Sequence, residues 1–231
     1  MFSKSATRKT FVAAAALSAV LGLSACGAND TDTAQAADNS SSSHVSTPKP
    51  VAVVPAVPGG TTAVALDTGF TDALTQLGLT PGVIGGATLD GATGTVTFPI
   101  TGGTVTLYDR ETGYRPWVQG IVFHDGSGLT LAAGGTTVEL SNFAIDPGKP
   151  ARLFGDVTVD GELAAPNAPL FNLDGSTLSA PTMDADGSAV LDGTTVKLSD
   201  EAAALLNSTF KTDALAGGLV IGTSVITVQT S

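Results

Sequence analysis

His124 stands next to two residues that can take part in acid–base chemistry with a histidine, Asp125 and Ser127. A Ser-His-Asp triad needs its three side chains to converge in space. Residues this close together on a strand and turn point apart, and the chain has no G-x-S-x-G sequence to expose a nucleophilic serine. We therefore predict no catalytic residues and interpret His124 as either a structural histidine at a strand end or a ligand contact.

Metal ligands are sparse along the chain. The other histidine is His44, and Cys26 is the one cysteine. The turn M-D-A-D-G-S spaces Asp184 and Asp186 as in half of a calcium loop, but the third oxygen ligand and the closing glutamate are missing. The sequence therefore predicts no metal site built from protein ligands alone.

Residue types suited to binding are concentrated in Y-D-R-E-T-G-Y-R-P-W, residues 108–117. This stretch holds both tyrosines, the one tryptophan and two of the four arginines. Tyrosine, tryptophan and arginine are enriched in binding hot spots, because they combine large contact areas with polar tips. The alternative is that the tryptophan belongs to the core and the tyrosines to the rim of a sheet. The candidate ligand-binding or partner-binding residues are Tyr108, Arg110, Tyr114, Arg115, Trp117 and His124.

Alternating apolar and polar residues predict strands on both sides of this stretch. In T-V-T-F-P-I-T-G-G-T-V-T-L, residues 95–107, two alternating runs flank Gly102 and Gly103, which predicts a hairpin with its turn at the glycines. Similar runs follow at intervals of roughly 8 to 12 residues, a spacing typical of antiparallel sandwiches and barrels. We predict an all-β fold, either an immunoglobulin-like sandwich or a barrel.

Two short helices are expected among these strands. In the first, Asp67 or Thr68 caps the start and Gly78 ends the helix; in the second, Ser199 caps the start of D-E-A-A-A-L-L-N-S-T-F. Both are expected to cover the ends of the sheet.

The N-terminal region has the order of a secretory signal peptide. Basic residues precede an apolar run of about 14 residues, which is too short to span a bilayer as a helix. The sequence from Leu23 to Cys26, L-S-A-C, resembles the bacterial lipobox. The resemblance implies that residues 1–25 are removed and that Cys26 is acylated. Its acyl chains would then hold the protein at the extracytoplasmic face of the cell membrane.

The mature chain divides by composition into a tether and a domain. Residues 26–60 are small, polar and then punctuated by prolines, which predicts a disordered tether behind the acylated cysteine. Residues 61–231 are rich in threonine, valine and glycine and predict a single β-rich domain. The formal net charge of −11 argues against a nucleic-acid partner, because such proteins neutralise phosphates with clustered cations. The expected partner is a ligand or another component of the cell envelope.

The order of elements from residue 117 to 231 resembles the HtaA-type domain of bacterial surface haem-uptake proteins. The segments that carry the resemblance are G-I-V-F-H-D-G-S-G-L-T-L, L-F-G-D-V-T-V and L-S-D-E-A-A-A-L-L-N-S-T-F. It implies haem as a possible cofactor, bound by a tyrosine in an early helix with support from a histidine and a late tyrosine. His124 matches the histidine. Phe210 occupies the late tyrosine position, and the early helix G-F-T-D-A-L-T-Q-L-G has no tyrosine.

These observations leave three functional hypotheses. The leading one is a cell-surface lipoprotein whose β domain is a non-catalytic binding module. The first alternative is an HtaA-like carrier of haem or another planar ligand, in which Tyr108 or Tyr114 takes over from the missing tyrosines. The second alternative is a carbohydrate-active or hydrolytic enzyme, which needs two carboxylates facing each other across a groove.

Overall fold

The computed structural model describes residues 47–231, a region dominated by β-strands. Two α-helices are present, α1 (Thr68–Gln76) and α2 (Asp200–Phe210), with single 3-10 turns at Arg110–Thr112 and Gly175–Thr177. The strands are β1 (Ala52–Val54), β2 (Gly60–Leu66), β3 (Thr80–Gly85), β4 (Thr88–Asp90), β5 (Thr95–Pro99), β6 (Gly102–Leu107), β7 (Val118–Ala133), β8 (Thr136–Asp146), β9 (Arg152–Val159), β10 (Glu162–Asp174), β11 (Thr182–Met183), β12 (Ala189–Leu198) and β13 (Val220–Val228).

All thirteen strands belong to one antiparallel sheet. Its order is β1-β6-β7-β8-β9-β10-β12-β13-β2-β5-β4, with β3 paired to β7 and β11 paired to β12. The sheet curls into a half-barrel, so its inner face is concave. The prediction of an all-β fold with two short helices is confirmed. Because the described strands form one continuous sheet, the barrel alternative describes the arrangement better than a sandwich of two sheets.

Strand β7 pairs with three other strands of the curled sheet. Its first half pairs with β6 and its second half with β3, while β8 lies along its other side. The register between β7 and β8 shifts between His124 and Gly128. A bulge of this kind bends a strand and redirects the side chains beside it. The bend therefore falls at the histidine singled out in the sequence.

The hairpin predicted across Gly102 and Gly103 is wrong. Strand β5 pairs with β2 and β4, whereas β6 pairs with β1 and β7. Both glycines lie inside β6, where a Cβ added to Gly103 would stand 2.1 Å from the carbonyl oxygen of Ile121. Gly103 also has a φ of 130°. It therefore serves the close approach of two strands and not a turn.

Both helices begin where the sequence predicts. The Asp67 carboxylate accepts a hydrogen bond from the Gly69 amide at 2.8 Å. The Ser199 hydroxyl oxygen accepts one from the Ala202 amide at 2.9 Å and donates to the Pro169 carbonyl at 2.6 Å. Leu74 of α1 and Leu206 of α2 are buried in the same hydrophobic cluster, together with side chains from β2, β5, β7 to β10, β12 and β13.

The domain begins earlier than residue 61, where the composition placed the boundary. Strand β1 pairs with β6, and Val54 and Val57 are only 2% and 5% exposed. Both join a second hydrophobic cluster with Leu107 and Val228. The prolines of this segment therefore flank an edge strand of the domain and do not belong to a disordered tether. The signal peptide, Cys26 and the rest of the expected tether lie outside the described residues. Within residues 47–231 no helix is long and apolar enough to cross a bilayer.

Candidate functional site

The concave face of the sheet encloses a cavity of about 630 Å³. Its wall combines side chains from β2, β5 to β10, β12 and β13, strands that are distant in sequence but share the inner face of the curl. Most of these side chains are aliphatic or aromatic, because the inner positions of each strand alternate with polar outer ones. Phe98 and Phe143 lie in the wall with their rings 5.3 Å apart, edge to face. The cavity is therefore suited to an apolar ligand.

Among residues 47–231, His124 is the one titratable side chain that lines this cavity and is buried. His124 is only 1% exposed, and its Nε2 lies 2.8 Å from the hydroxyl oxygen of Thr62 on β2. The Phe98 ring stands edge-on to the imidazole with 6.4 Å between centroids. The second ring nitrogen, Nδ1, has no hydrogen-bond partner within the described residues. Buried polar atoms almost always have a partner, so this nitrogen marks a place where a ligand can supply one.

Burial lowers the pKa of His124 to about 4, because the apolar surroundings disfavour the imidazolium form. The Phe143 backbone and the charge of Asp125 act in the opposite direction. Both effects are smaller than that of burial, so the pKa stays lowered. At neutral pH the ring is uncharged and one nitrogen keeps a free lone pair.

Asp125 and Ser127 do not form a triad with His124. The Ser127 hydroxyl donates to the His124 backbone carbonyl at 3.1 Å, and the imidazole contacts Thr62 instead. Asp125 is exposed in the bulge. The bulge therefore separates these three side chains, as the alternation of strand residues predicts.

Part of the aromatic stretch is occupied by contacts within the domain. Tyr108 is 9% exposed, and its ring packs at a tilt of 58° against that of Tyr114, with 4.6 Å between the ring centroids. The Arg110 Nη1 donates to the Leu178 carbonyl at 2.8 Å, and its guanidinium lies 5.0 Å from the centre of the Trp117 ring. Tyr108, Arg110 and Tyr114 are not among the residues that line the cavity.

The end of the same stretch borders the cavity. Arg115 and Pro116 are exposed, Trp117 is half-buried, and all three line the opening together with Lys149 from the turn between β8 and β9. The structure thus brings Arg115, Trp117 and His124 to one cavity. Thr62, Phe98 and Lys149 were not singled out in the sequence, because β2, β5 and the turn after β8 meet around one cavity only through the curl of the sheet.

Acidic residues contribute nothing to the cavity wall, which contains no carboxylate within residues 47–231. The cavity therefore lacks the carboxylate pair that glycoside hydrolysis requires. In the same range no group of three or more metal-binding side chains comes together. Asp184 and Asp186 shape the turn between β11 and β12, where the Asp186 carboxylate accepts from the Ser188 amide at 2.9 Å.

The tyrosine positions implied by the HtaA-type resemblance are not at the cavity. Phe210, at the end of α2, packs half-buried against the core cluster and does not line the cavity. Because neither Tyr108 nor Tyr114 lines it, neither replaces the missing tyrosines there. Of the ligand positions implied by the resemblance, His124 is the one that lines the cavity.

The solved structures similar to this chain include two from Corynebacterium glutamicum. The first is the C-terminal domain of HtaA from Corynebacterium glutamicum, at 16% identity and a TM-score of 0.52, covering 77% of this chain and 100% of that one. The second is the haem-binding protein HtaB from the same organism, at 12% identity and a TM-score of 0.43, covering 76% and 95%, a score too low to argue from. No protein-family model and no curated protein matches the chain. The described domain therefore has the fold of the HtaA C-terminal domain.

Proposed function

We propose that this protein is a non-catalytic carrier that holds haem, or another planar apolar ligand, in the cavity of the curled sheet. The observation that carries the proposal is the cavity itself, about 630 Å³ of mostly apolar wall with one imidazole nitrogen left without a partner. Ligand sites in proteins are typically apolar clefts of about 300 to 1,000 Å³ with a few placed polar groups. The sequence resemblance to HtaA-type haem-uptake domains, together with the fold of the HtaA C-terminal domain, makes haem the first ligand to test.

The residues present fit haem through one protein ligand. Imidazole is a common axial ligand of haem iron and binds in its neutral form. His124 has a pKa of about 4 and is therefore neutral at pH 7, and its Nδ1 offers a lone pair to a metal when Nε2–H donates to the Thr62 hydroxyl. When bound, haem would supply the iron and a large flat apolar surface. His124 would hold the iron, while Phe98 and Phe143 would contact the ring.

We also propose that the carrier is a lipoprotein at the extracytoplasmic face of the cell membrane. The support is the order of the N-terminal sequence, with L-S-A-C ending at Cys26. Two or three acyl chains give lasting membrane attachment, because each buried methylene contributes about 0.8 kcal/mol. Mass spectrometry of the mature protein tests this directly. An unprocessed chain without an acylated Cys26 would contradict the proposal.

Titration of the mature protein with haemin tests the proposed ligand. We expect saturable one-to-one binding with a shifted Soret band, because His124 would supply a nitrogen ligand to the iron in a mostly apolar cavity. In His124→Ala the shifted band should be lost and the affinity should fall at least about tenfold. His44→Ala is the matched control, since it removes a histidine outside the described domain, and it should behave as the wild type.

Two results would contradict the haem proposal. The first is a wild-type protein whose Soret band does not shift on titration. The second is a His124→Ala protein that keeps both the shift and the affinity, which would place haem somewhere other than this cavity. Circular dichroism of each variant separates a loss of binding from a loss of fold.

A further inference from the structure

The charges at the cavity are all of one sign in a domain dominated by the other. Residues 47–231 contain eighteen acidic and seven basic side chains. The charged residues that line the cavity are nevertheless Arg115 and Lys149, and no carboxylate within that range joins them. In such an acidic domain, two cations with no accompanying anion make the opening a local site of positive potential.

Arg115 is held at the opening by the backbone around it. Its Nη1 donates to the Tyr114 carbonyl at 3.0 Å and to the Arg110 carbonyl at 3.5 Å. Both bonds use the same guanidinium nitrogen. The Nη2 and Nε groups make no hydrogen bond within the described residues, so one edge of the planar fork remains for a carboxylate.

Lys149 reaches the same opening from the turn between β8 and β9. The nearest acidic residue along that turn, Asp146, forms no ion pair with it, and the Asp146 carboxylate instead accepts from the Gly148 amide at 2.8 Å. The ion pairs of the described domain are Arg152–Glu201 and Lys197–Asp174, so neither cation of the opening belongs to one. Their counter-charge can therefore come from a ligand.

We propose that the ligand is an apolar carboxylate, bound with its acid group at the opening between Arg115 and Lys149 and its apolar body inside the cavity. The inference rests on the proposed use of the cavity as a ligand site, but it requires neither iron nor a planar ring. The opposite orientation is disfavoured. A carboxylate at the inner end would be buried beside the phenylalanines and an uncharged imidazole, at a large desolvation cost. The opening thus selects acids over neutral molecules of the same shape.

The test compares each acid with its neutral ester in equilibrium binding to the mature protein. The planar pair is haemin and haemin dimethyl ester, and the iron-free pair is cis-parinaric acid and its methyl ester, followed by fluorescence. For the wild type we expect each acid to bind about 10-fold more tightly than its ester, as two exposed ion pairs provide. The preference should decrease as salt is added, because these charges are accessible to ions.

The double variant Arg115→Ala/Lys149→Ala should bind acid and ester equally. It should keep the melting temperature of the wild type, since both side chains are exposed. The matched control is Lys49→Ala/Lys211→Gly, which removes two exposed cations that do not line the cavity. Glycine suits position 211 because the backbone there has a φ of 54°. The control should keep the full preference for acids.

The outcomes separate this inference from the haem proposal. Haemin that fails to bind while parinaric acid binds in preference to its ester refutes the haem proposal and supports the inference. Haemin and its ester binding equally well in the wild type overturns the inference and leaves haem binding intact. An acid preference that survives in the double variant also overturns it. If neither acid binds, both proposals fall.

Discussion

Acidification between pH 7 and pH 5 should destabilise the domain through His124. The folded state holds this histidine with a pKa of about 4, well below the value near 6.5 expected in the unfolded chain. Over this range the His124 imidazole therefore binds a proton in the unfolded state but stays neutral in the folded state. The stability contributed by the neutral buried ring is fully present above pH 6.5 and is lost progressively as the pH falls towards 4.

The magnitude follows from the two pKa values. One pKa unit corresponds to about 1.4 kcal/mol, so the free energy of unfolding should fall by about 2 kcal/mol between pH 7 and pH 5 and by about 3 kcal/mol by pH 4. The carboxyls whose pKa values are lowered, those of Asp90, Asp156, Asp174 and Asp186, titrate below their ordinary value of 3.8. Their effect on stability therefore lies outside the window from pH 5 to 7.

Urea unfolding at pH 7, 6 and 5, followed by circular dichroism without ligand, measures this effect. His124→Gln should remove the loss, because glutamine offers Thr62 a hydrogen-bonding partner and does not titrate. His44→Gln should leave the loss unchanged. Equal stability of the wild type at pH 7 and pH 5, or an undiminished loss in His124→Gln, would refute the reasoning, since either result means that burial of His124 does not set its pKa.

Two further substitutions test the packing around the cavity. Gly103→Ala should lower the free energy of unfolding by about 3 kcal/mol, because the new Cβ would collide with the Ile121 carbonyl. The control Gly91→Ala, whose Cβ would meet open space, should change the free energy of unfolding by less than about 0.5 kcal/mol in the same urea assay. Thr62→Val should cost about 1 to 3 kcal/mol by leaving the Nε2 of His124 without a partner, whereas Thr62→Ser should retain most of the stability. Equal stability of the valine and serine variants would show that the hydrogen bond contributes little.

The local structure of this chain was predictable where single side chains decide it. Asp67 and Ser199 cap the two helices because a short polar side chain at the N-cap satisfies an otherwise free amide. Which strands pair with each other was harder to predict from the sequence, as Gly103 illustrates. A glycine in a turn and a glycine where two strands come close look the same in one sequence. Alternation correctly predicted both β5 and β6, but β5 pairs with β2 and β4, and β6 with β1 and β7, and the two do not pair with each other.

The candidate site was predictable in residue type more than in position. The sequence singled out His124, Arg115 and Trp117, and the structure places all three at one cavity. Arg110 belongs to the same stretch, yet it binds the Leu178 carbonyl, which nothing in the local sequence signals. Lys149 could not be singled out either. Its role depends on the curl of the sheet that brings the turn after β8 to the opening.

The pairing of β2 with β13 has a consequence for the order in which this protein matures. Ser224, Ile226 and Val228 of β13 form one side of the chamber, next to Thr62 of β2, although more than 150 residues separate the two strands in the chain. During synthesis, this side of the cavity would therefore stay open until β13 is made. The ability to retain a ligand should therefore be acquired last, and a chain truncated before Val220 should lack it.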